Sequence, residues 1–287
     1  MKILLCGANG YIGSLFYQKY FEKYNIFPID NLLIKRKKLN FVKVRDYKDL
    51  NKDFINTFDV CIWLCGHSSV LQSINAPNDA FNNNVLGLIE FKKNFKGTLI
   101  YASSGSVYNN LLGRKCSEKT KTLISSNIYD FSKSTIDKYF TLVEKNFISL
   151  RFGTVVGASQ CFRNELLLNK MSEDAIVKKK IFLSNPNKHR PILYINDLIK
   201  SLDLIVENHK DLRNEIFNLC SVNETMNNYA NYVKNFFKIK IIRLENSNAY
   251  SFQMTNTKFI KFTKFVFTTN IETILQNIKN YLLFSKF

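Results

Sequence analysis

No apolar run in this 287-residue chain approaches the roughly 20 residues that a membrane-crossing helix requires. A basic n-region ahead of a signal-type core is lacking too, since Lys2 leads directly into a short strand; a cytoplasmic protein with no membrane partner is expected. No long linker, repeat or low-complexity segment interrupts the chain, which is large enough for one good core or for a core domain with a smaller appended one. Clustered cysteine is missing as well. Of the six cysteines, Cys6, Cys61 and Cys65 sit in or beside apolar runs, where cysteine behaves as a small buried hydrophobe. The Cys61/Cys65 pair has no second pair or nearby histidine, so reduced thiols and no metal site are expected.

Acid is the charge in short supply: 23 acidic residues face 41 basic ones, for a net charge of +18. Such a balance invites a nucleic-acid partner. Against that reading, most of the basic residues are lysine and are spread along the chain, whereas base and phosphate forks favour arginine. The clusters Lys35-Arg-Lys-Lys38 and Lys178-Lys-Lys180 read as solvated faces, and no nucleic-acid partner is expected. A general pull toward anionic ligands remains.

What the chain does have begins at its first residues, Met1-Lys-Ile-Leu-Leu-Cys-Gly-Ala-Asn-Gly-Tyr-Ile-Gly13, an apolar strand running into a Gly-rich turn. Gly7, Gly10 and Gly13 let backbone amides approach a pyrophosphate and set the positive end of the following helix against it. The same glycines would also serve a plain strand-to-helix turn. A second apolar run ends at Asp30, whose carboxylate can accept both hydroxyls of an adenosine ribose and would repel a 2′-phosphate. NAD is therefore favoured over NADP, with Lys35 and Arg36 the nearby basic residues.

Apolar runs recur at 2–6, 26–30, 41–44, 59–65, 97–102 and 147–152, with helices expected at 11–23, 46–55, 78–95 and 127–145. Alternation of this kind predicts an α/β fold with a doubly wound Rossmann parallel sheet and ligands at the carboxyl ends of its strands. Past residue 155 the alternation fades. A helix at 163–178, strands at 180–183, 191–195 and 216–219, and helices at 196–208 and 225–239 are expected there. The division is thus a core over 1–155 and a smaller C-terminal substrate-binding α/β cap over 156–287, with some segments returning to the core sheet.

The second chemical feature is Tyr129-Asp-Phe-Ser-Lys133. Tyr129 and Lys133 lie on one face of a helix, so an ammonium can lower the phenol's pKa and also grip a nicotinamide ribose. A tyrosine so placed can exchange a proton with an alcohol oxygen. A surface Tyr/Lys pair is the ordinary alternative, but the strand at Tyr101-Ala-Ser-Ser-Gly-Ser-Val-Tyr108 ends in hydroxyls that can face the same helix.

Taken together, the Gly-rich turn, Asp30-Asn31, Ser103-Ser104 with Val107-Tyr108, Tyr129/Lys133, Leu150-Arg151 with Gly157, and Arg190-Pro-Ile-Leu-Tyr-Ile-Asn-Asp197 resemble the extended short-chain dehydrogenase/reductase family, in its NAD-dependent nucleotide-sugar epimerase/dehydratase branch. The resemblance spans almost the whole chain. It implies NAD held by Gly7, Gly10, Tyr11, Ile12, Gly13, Asp30, Asn31, Asp46, Tyr47, Leu64, Cys65, Gly66, Asn84, Tyr129 and Lys133. By the same resemblance Ser104 hydrogen-bonds the reacting oxygen, Tyr129 is the acid/base and Lys133 its electrostatic partner. Asp46 resembles an adenine-contacting residue and also reads as a helix N-cap. Ser68, Ser104, Thr154, Arg163, Asn169 and Arg190 fall on substrate-side positions, with Arg190 matching a diphosphate clamp and a salt bridge the other role for Arg163.

Dehydratases of this family place an Asp-Glu pair directly after the catalytic hydroxyl residue, where this chain has Gly105-Ser106. Dehydration is not expected. Oxidation at C4 of a nucleotide-diphosphate sugar remains, either transient as in a 4-epimerase of the UDP-galactose 4-epimerase type, or net as in a dehydrogenase or 4-ketoreductase. Thr154 and His67 depart from that type, and the sugar and base are not legible. A non-catalytic NAD-binding sensor would not need Ser104, Tyr129 and Lys133 together. A homodimer is expected through the helix carrying Tyr129 and its neighbour at 78–95, with Ile128, Phe131, Ile136 and Phe140 as its apolar residues.

Overall fold

A computed structural model describes residues 1–33, 37–111, 113–122, 125, 127–247 and 249–284. In chain order its first half runs β1 (Lys2–Cys6), α1 (Tyr11–Tyr20), β2 (Asn25–Asp30), β3 (Lys43–Val44), α2 (Lys52–Ile55), β4 (Val60–Trp63), α3 (Val70–Asn75), α4 (Pro77–Phe81), α5 (Gly87–Asn94), β5 (Thr98–Ser104), β6 (Lys115–Cys116), α6 (Ile128–Val143) and β7 (Phe147–Phe152). The second half continues with β8 (Thr154–Val156), α7 (Leu167–Lys178), β9 (Lys180–Leu183), β10 (His189–Tyr194), α8 (Ile195–Glu207), β11 (Glu215–Leu219), β12 (Val222–Thr225), α9 (Met226–Phe237), β13 (Lys240–Arg243), β14 (Gln253–Met254), α10 (Thr257–Thr263) and α11 (Ile271–Phe284). None of the described helices is long and apolar enough to cross a membrane.

The main sheet has 7 strands in the order β11-β7-β5-β4-β1-β2-β3, and each of its pairings is parallel. Its central strands read as unbroken apolar runs because helices cover both faces: β4 is buried at every residue and β1 at all but its first. Strand order reverses between β1 and β4, the topological switch point beside which such sheets bind ligands. From the second half, β11 joins the sheet edge in register with β7, Phe217 opposite Leu150. The second half also forms a 3-stranded sheet in the order β12-β10-β8 and a parallel pair of β9 with β13, while β14 pairs with β6.

Three expected elements are corrected. The expected helix over 46–55 is a 3-10 turn at Tyr47–Asp49 followed by α2, because Asp46 accepts a hydrogen bond from the Lys48 amide and Asn51 accepts one from Phe54, so two caps divide one apolar stretch. The expected helix over 78–95 is α4, a π turn at Asn82–Leu86 and α5. The helix expected from Arg163 starts at Leu167, with Arg163 in the turn ahead of it.

Candidate active site

The dinucleotide side is built by close packing. Gly7 sits at φ +88°, and a Cβ there would lie 2.7 Å from the Leu64 backbone at the end of β4. A Cβ on Gly13 would collide with the Gly7 carbonyl. Only glycine lets the turn press onto β4 and lets α1 start against the turn. The first turn of α1 holds no acidic residue and Gly10 supplies no side-chain cap, so its positive end is left uncompensated toward the cavity that Gly7, Gly10, Tyr11, Ile12 and Gly13 line.

At the ends of β2 and β3, Asp30 is held by two backbone amides, accepting from Asn9 at 3.0 Å and from Leu32 at 2.8 Å. Asn31 donates to Asp46 at 2.9 Å while the other Asp46 oxygen caps the 3-10 turn, so the cap and the cavity wall are one residue. Tyr47 packs on Trp63 with ring centroids 4.5 Å apart, and its hydroxyl is buried with no hydrogen-bond partner. Burial raises that phenol's pKa. Lys35 and Arg36 lie outside the described residues.

Opposite this wall, β5 ends at Ser104 and Asn127 caps α6, which presents Tyr129 and Lys133 one turn apart to the same cavity. The Lys133 ammonium donates to the Ala102 carbonyl at 2.8 Å and lies 5.9 Å from the centroid of the Tyr129 ring. Burial pulls Lys133 down to about 8, with Asp137, one turn along α6, opposing the fall. The Tyr129 phenol is raised by burial, and its hydrogen bond with Ser104 pulls the other way. Asn84, brought inward by the π turn, donates to the His67 carbonyl and to the Ser132 hydroxyl, both at 3.2 Å. Its carbonyl oxygen is buried without a partner beside Gly66, where a Cβ would come within 2.6 Å of it. Orphaned polar atoms at Tyr47 and Asn84, and a turn that a Cβ would fill, fit a dinucleotide lying along this wall.

Two residues absent from the sequence expectations complete the catalytic corner. Ser106 donates its backbone N–H to the Ser104 hydroxyl at 3.2 Å, and the two hydroxyls are 2.8 Å apart. The Ser106 hydroxyl then donates to Asp130, a buried carboxylate that also takes a hydrogen bond from Asn127 at 2.7 Å. The available signal was a charged residue on the inward face of an otherwise amphipathic helix.

Substrate-side positions divide in two. Ser68, Ser104, Thr154, Arg163 and Arg190 line the cavity together, and Arg163 bridges Ser68 at 3.2 Å and Glu165 at 2.7 Å. The Arg190 guanidinium lies over the rings of Tyr250 and Phe252, 5.5 and 5.7 Å from their centroids. Asn169 instead sits behind the wall, fully buried, bonding the Gly157 amide, the Tyr11 hydroxyl and the Arg163 carbonyl. The space these residues enclose with the dinucleotide wall measures about 450 Å³. Among the described residues no cluster of His, Cys, Asp and Glu is placed to hold a metal.

Residues 3–220 match the family model described as NAD dependent epimerase/dehydratase family. The chain belongs to the NAD dependent epimerase/dehydratase family. Protein CapI of Staphylococcus aureus is 26% identical over 234 residues, covering 72% of this chain and 70% of that protein. The fold superposes on a UDP-glucose 4-epimerase from Thermotoga maritima, solved with UDP-glucose, at a TM-score of 0.86 and 19% identity over 100% of both chains. It superposes equally broadly, 99% of each chain at TM-score 0.83 and 18% identity, on a UDP-glucuronic acid 4-epimerase from Bacillus cereus in complex with UDP-glucuronic acid and NAD.

Proposed function

We propose that this protein is an NAD-dependent nucleotide-sugar 4-epimerase that works through a transient 4-keto sugar. The observation that carries the reading is the meeting of the dinucleotide turn and the Ser104, Tyr129, Lys133 corner in one cavity, with Arg190 on its far side. NAD would be held by the α1 N-terminus, Asp30, Asn31, Asp46, Tyr47, Gly66, Asn84 and Lys133, and when bound it would supply reversible hydride transfer. Tyr129 takes the proton of the sugar C4 hydroxyl on oxidation and returns it on reduction. Lys133 stabilises the phenolate across its ring and engages the nicotinamide ribose. Arg190, held by two aromatic rings, presents its guanidinium to the substrate diphosphate.

The Gly105-Ser106 pair after Ser104 supports epimerisation over dehydration, since neither position supplies the acid or base that removing water requires. NAD is preferred to NADP because both Asp30 oxygens are pinned by amides and the carboxylate stays where a 2′-phosphate would be repelled. The test is incubation with UDP-glucose, UDP-N-acetylglucosamine and UDP-glucuronic acid deuterated at C4, with products read by NMR. Retention of the label through inversion at C4, without net NADH, is expected. Accumulating NADH makes the enzyme a net dehydrogenase, and no turnover of any C4-hydroxy sugar overturns the reading.

A further inference from the structure

Asn169, the third residue of α7, is fully buried, so the side chain expected to meet substrate is out of reach of a ligand in the cavity. It touches both sides of the site from behind. Its amide oxygen accepts from the Gly157 N–H at 2.9 Å, and its amide nitrogen donates to the Tyr11 hydroxyl at 3.2 Å and to the Arg163 carbonyl at 2.9 Å. The Tyr11 hydroxyl in turn donates to the Gly157 carbonyl at 2.6 Å. Tyr11 opens α1 in the dinucleotide turn, whereas Arg163 stands in the turn ahead of α7 with its guanidinium on Ser68 in the cavity wall.

Counting protons fixes every direction in this ring. A hydroxyl has one proton to give, and Tyr11 gives it to Gly157, so the Tyr11 oxygen is left to accept from Asn169. Turning the Asn169 amide over would set its oxygen against the Arg163 carbonyl and its nitrogen against the Gly157 N–H, like facing like. One orientation remains. Because the amide is planar, a single rigid group then sets where the Arg163 carbonyl lies relative to Tyr11. Gly157 has no freedom to absorb a shift: it sits at φ +128°, a Cβ there would lie 2.6 Å from Ile195, and both polar groups of its backbone are held within the ring. Two residues on, the Ser159 hydroxyl donates to the Tyr11 carbonyl at 2.7 Å. Segment 157–163 is thereby tied to the first turn of α1 at both of its ends.

We propose that Asn169 is a positioning residue that couples the two halves of the site: through Tyr11 it ties the turn that holds NAD to the turn that carries Arg163, and so makes the binding of NAD and of the nucleotide sugar cooperative. Order imposed on one turn is order the other no longer has to gain, and the effect is reciprocal. The inference rests on the proposed function, in which the α1 turn holds NAD and Arg163 faces the nucleotide sugar.

The test is calorimetric titration of the full chain with NAD, with and without a saturating UDP-sugar. UDP-glucose, UDP-N-acetylglucosamine and UDP-glucuronic acid are the probes. In the wild type, the UDP-sugar that it epimerises is expected to tighten NAD binding by roughly fivefold or more. Asn169→Ala, and the milder Tyr11→Phe that deletes one hydroxyl, are expected to bring that ratio to within about twofold of one. A side chain that only fills the core would lower the melting temperature when truncated and leave the ratio unchanged. A wild-type ratio near one, or the wild-type ratio retained in either folded variant, overturns the coupling and leaves the function standing. A wild type that epimerises none of the three sugars and does not bind NAD overturns the function on which the coupling rests.

Discussion

Lys133 shows at the scale of one residue how the site sets function against stability. Its ammonium is held at about 8 by burial, below the ordinary 10.5. A lysine whose folded pKa is lowered binds fewer protons folded than unfolded between those two values, so wild-type stability rises as pH climbs from about 8 toward 10.5. Below about 8 the penalty of burying the charge is fully present. Lys133→Met removes it, and the melting temperature of the variant relative to wild type should be higher at pH 7 than at pH 10, as thermal denaturation of both proteins would show. The same variant should lose turnover and NAD affinity together, a trade of activity for stability. Tyr129→Phe should behave differently, leaving ligand affinity nearly intact while cutting turnover by roughly two orders of magnitude or more; a kcat within tenfold of wild type would refute the acid/base role. At this scale the glycines, Asp30, Ser104, Tyr129 and Lys133 were legible because their spacing is local. The link between Ser106 and Asp130 was not, since it joins residues 24 apart through a contact made only when β5 and α6 pack.

Between elements, the catalytic corner depends on a buried polar knot. Asp137 on α6 accepts hydrogen bonds from Tyr101 at 2.9 Å and Ser103 at 2.9 Å on β5, from Ser149 at 2.6 Å on β7, and from the Arg151 guanidinium at 2.7 Å, which in turn donates to Tyr108 at 2.6 Å. These bonds tie α6 to two adjacent strands one turn beyond Lys133. Removing one partner of a buried ion pair leaves the other charge uncompensated, a loss on the order of 3–5 kcal/mol. Asp137→Ala should therefore lower denaturant-midpoint stability by that order and, by loosening α6, lower kcat as well; an unchanged unfolding midpoint would show that the knot contributes little. The parallel strands were readable as apolar runs. The knot was not, because tyrosine, serine and arginine within those runs point to one aspartate only in the folded register. Likewise the π turn at Asn82–Leu86 interrupts a sequence that scans as one helix, and its effect is to bring Asn84 inward and Gly87 against the Tyr47 hydroxyl. Second-half strands such as β8 and β12 are too short to stand out, whereas α11 carries a regular buried spacing of Ile271, Ile274, Leu275, Ile278 and Leu282 that a helical reading could use.

The whole molecule leaves one face of its helical layer apolar and uncovered. Ile136 and Phe140, expected to serve both the core and a partner, are buried in the core, and Ile128 is half-buried. The outward residues are others: Phe131 and Leu142 on α6 are 45% and 84% exposed, and their separation of about three turns places them on one side, opposite Ile136 and Phe140. Leu71 and Ile74 on α3 and Leu86 in the π turn are exposed as well, and α3 packs against α6. Single exposed apolar side chains need no explanation, but a set on adjoining helices marks an interaction surface. With a net charge of +18, the molecule repels its copies at long range, so an apolar face is what an association between them would need. The helix presenting Phe131 also carries Tyr129, so a pairing through this face would sit directly behind the catalytic corner. A homodimer through this face is the expected state. Light scattering should give twice the 33.5 kDa chain mass at micromolar concentration. Leu142→Glu, which buries a charge in the pair but leaves the monomer core untouched, should shift the protein to monomer with its circular dichroism unchanged. A wild-type monomer, or a Leu142→Glu dimer as tight as wild type, would remove this face from the assembly.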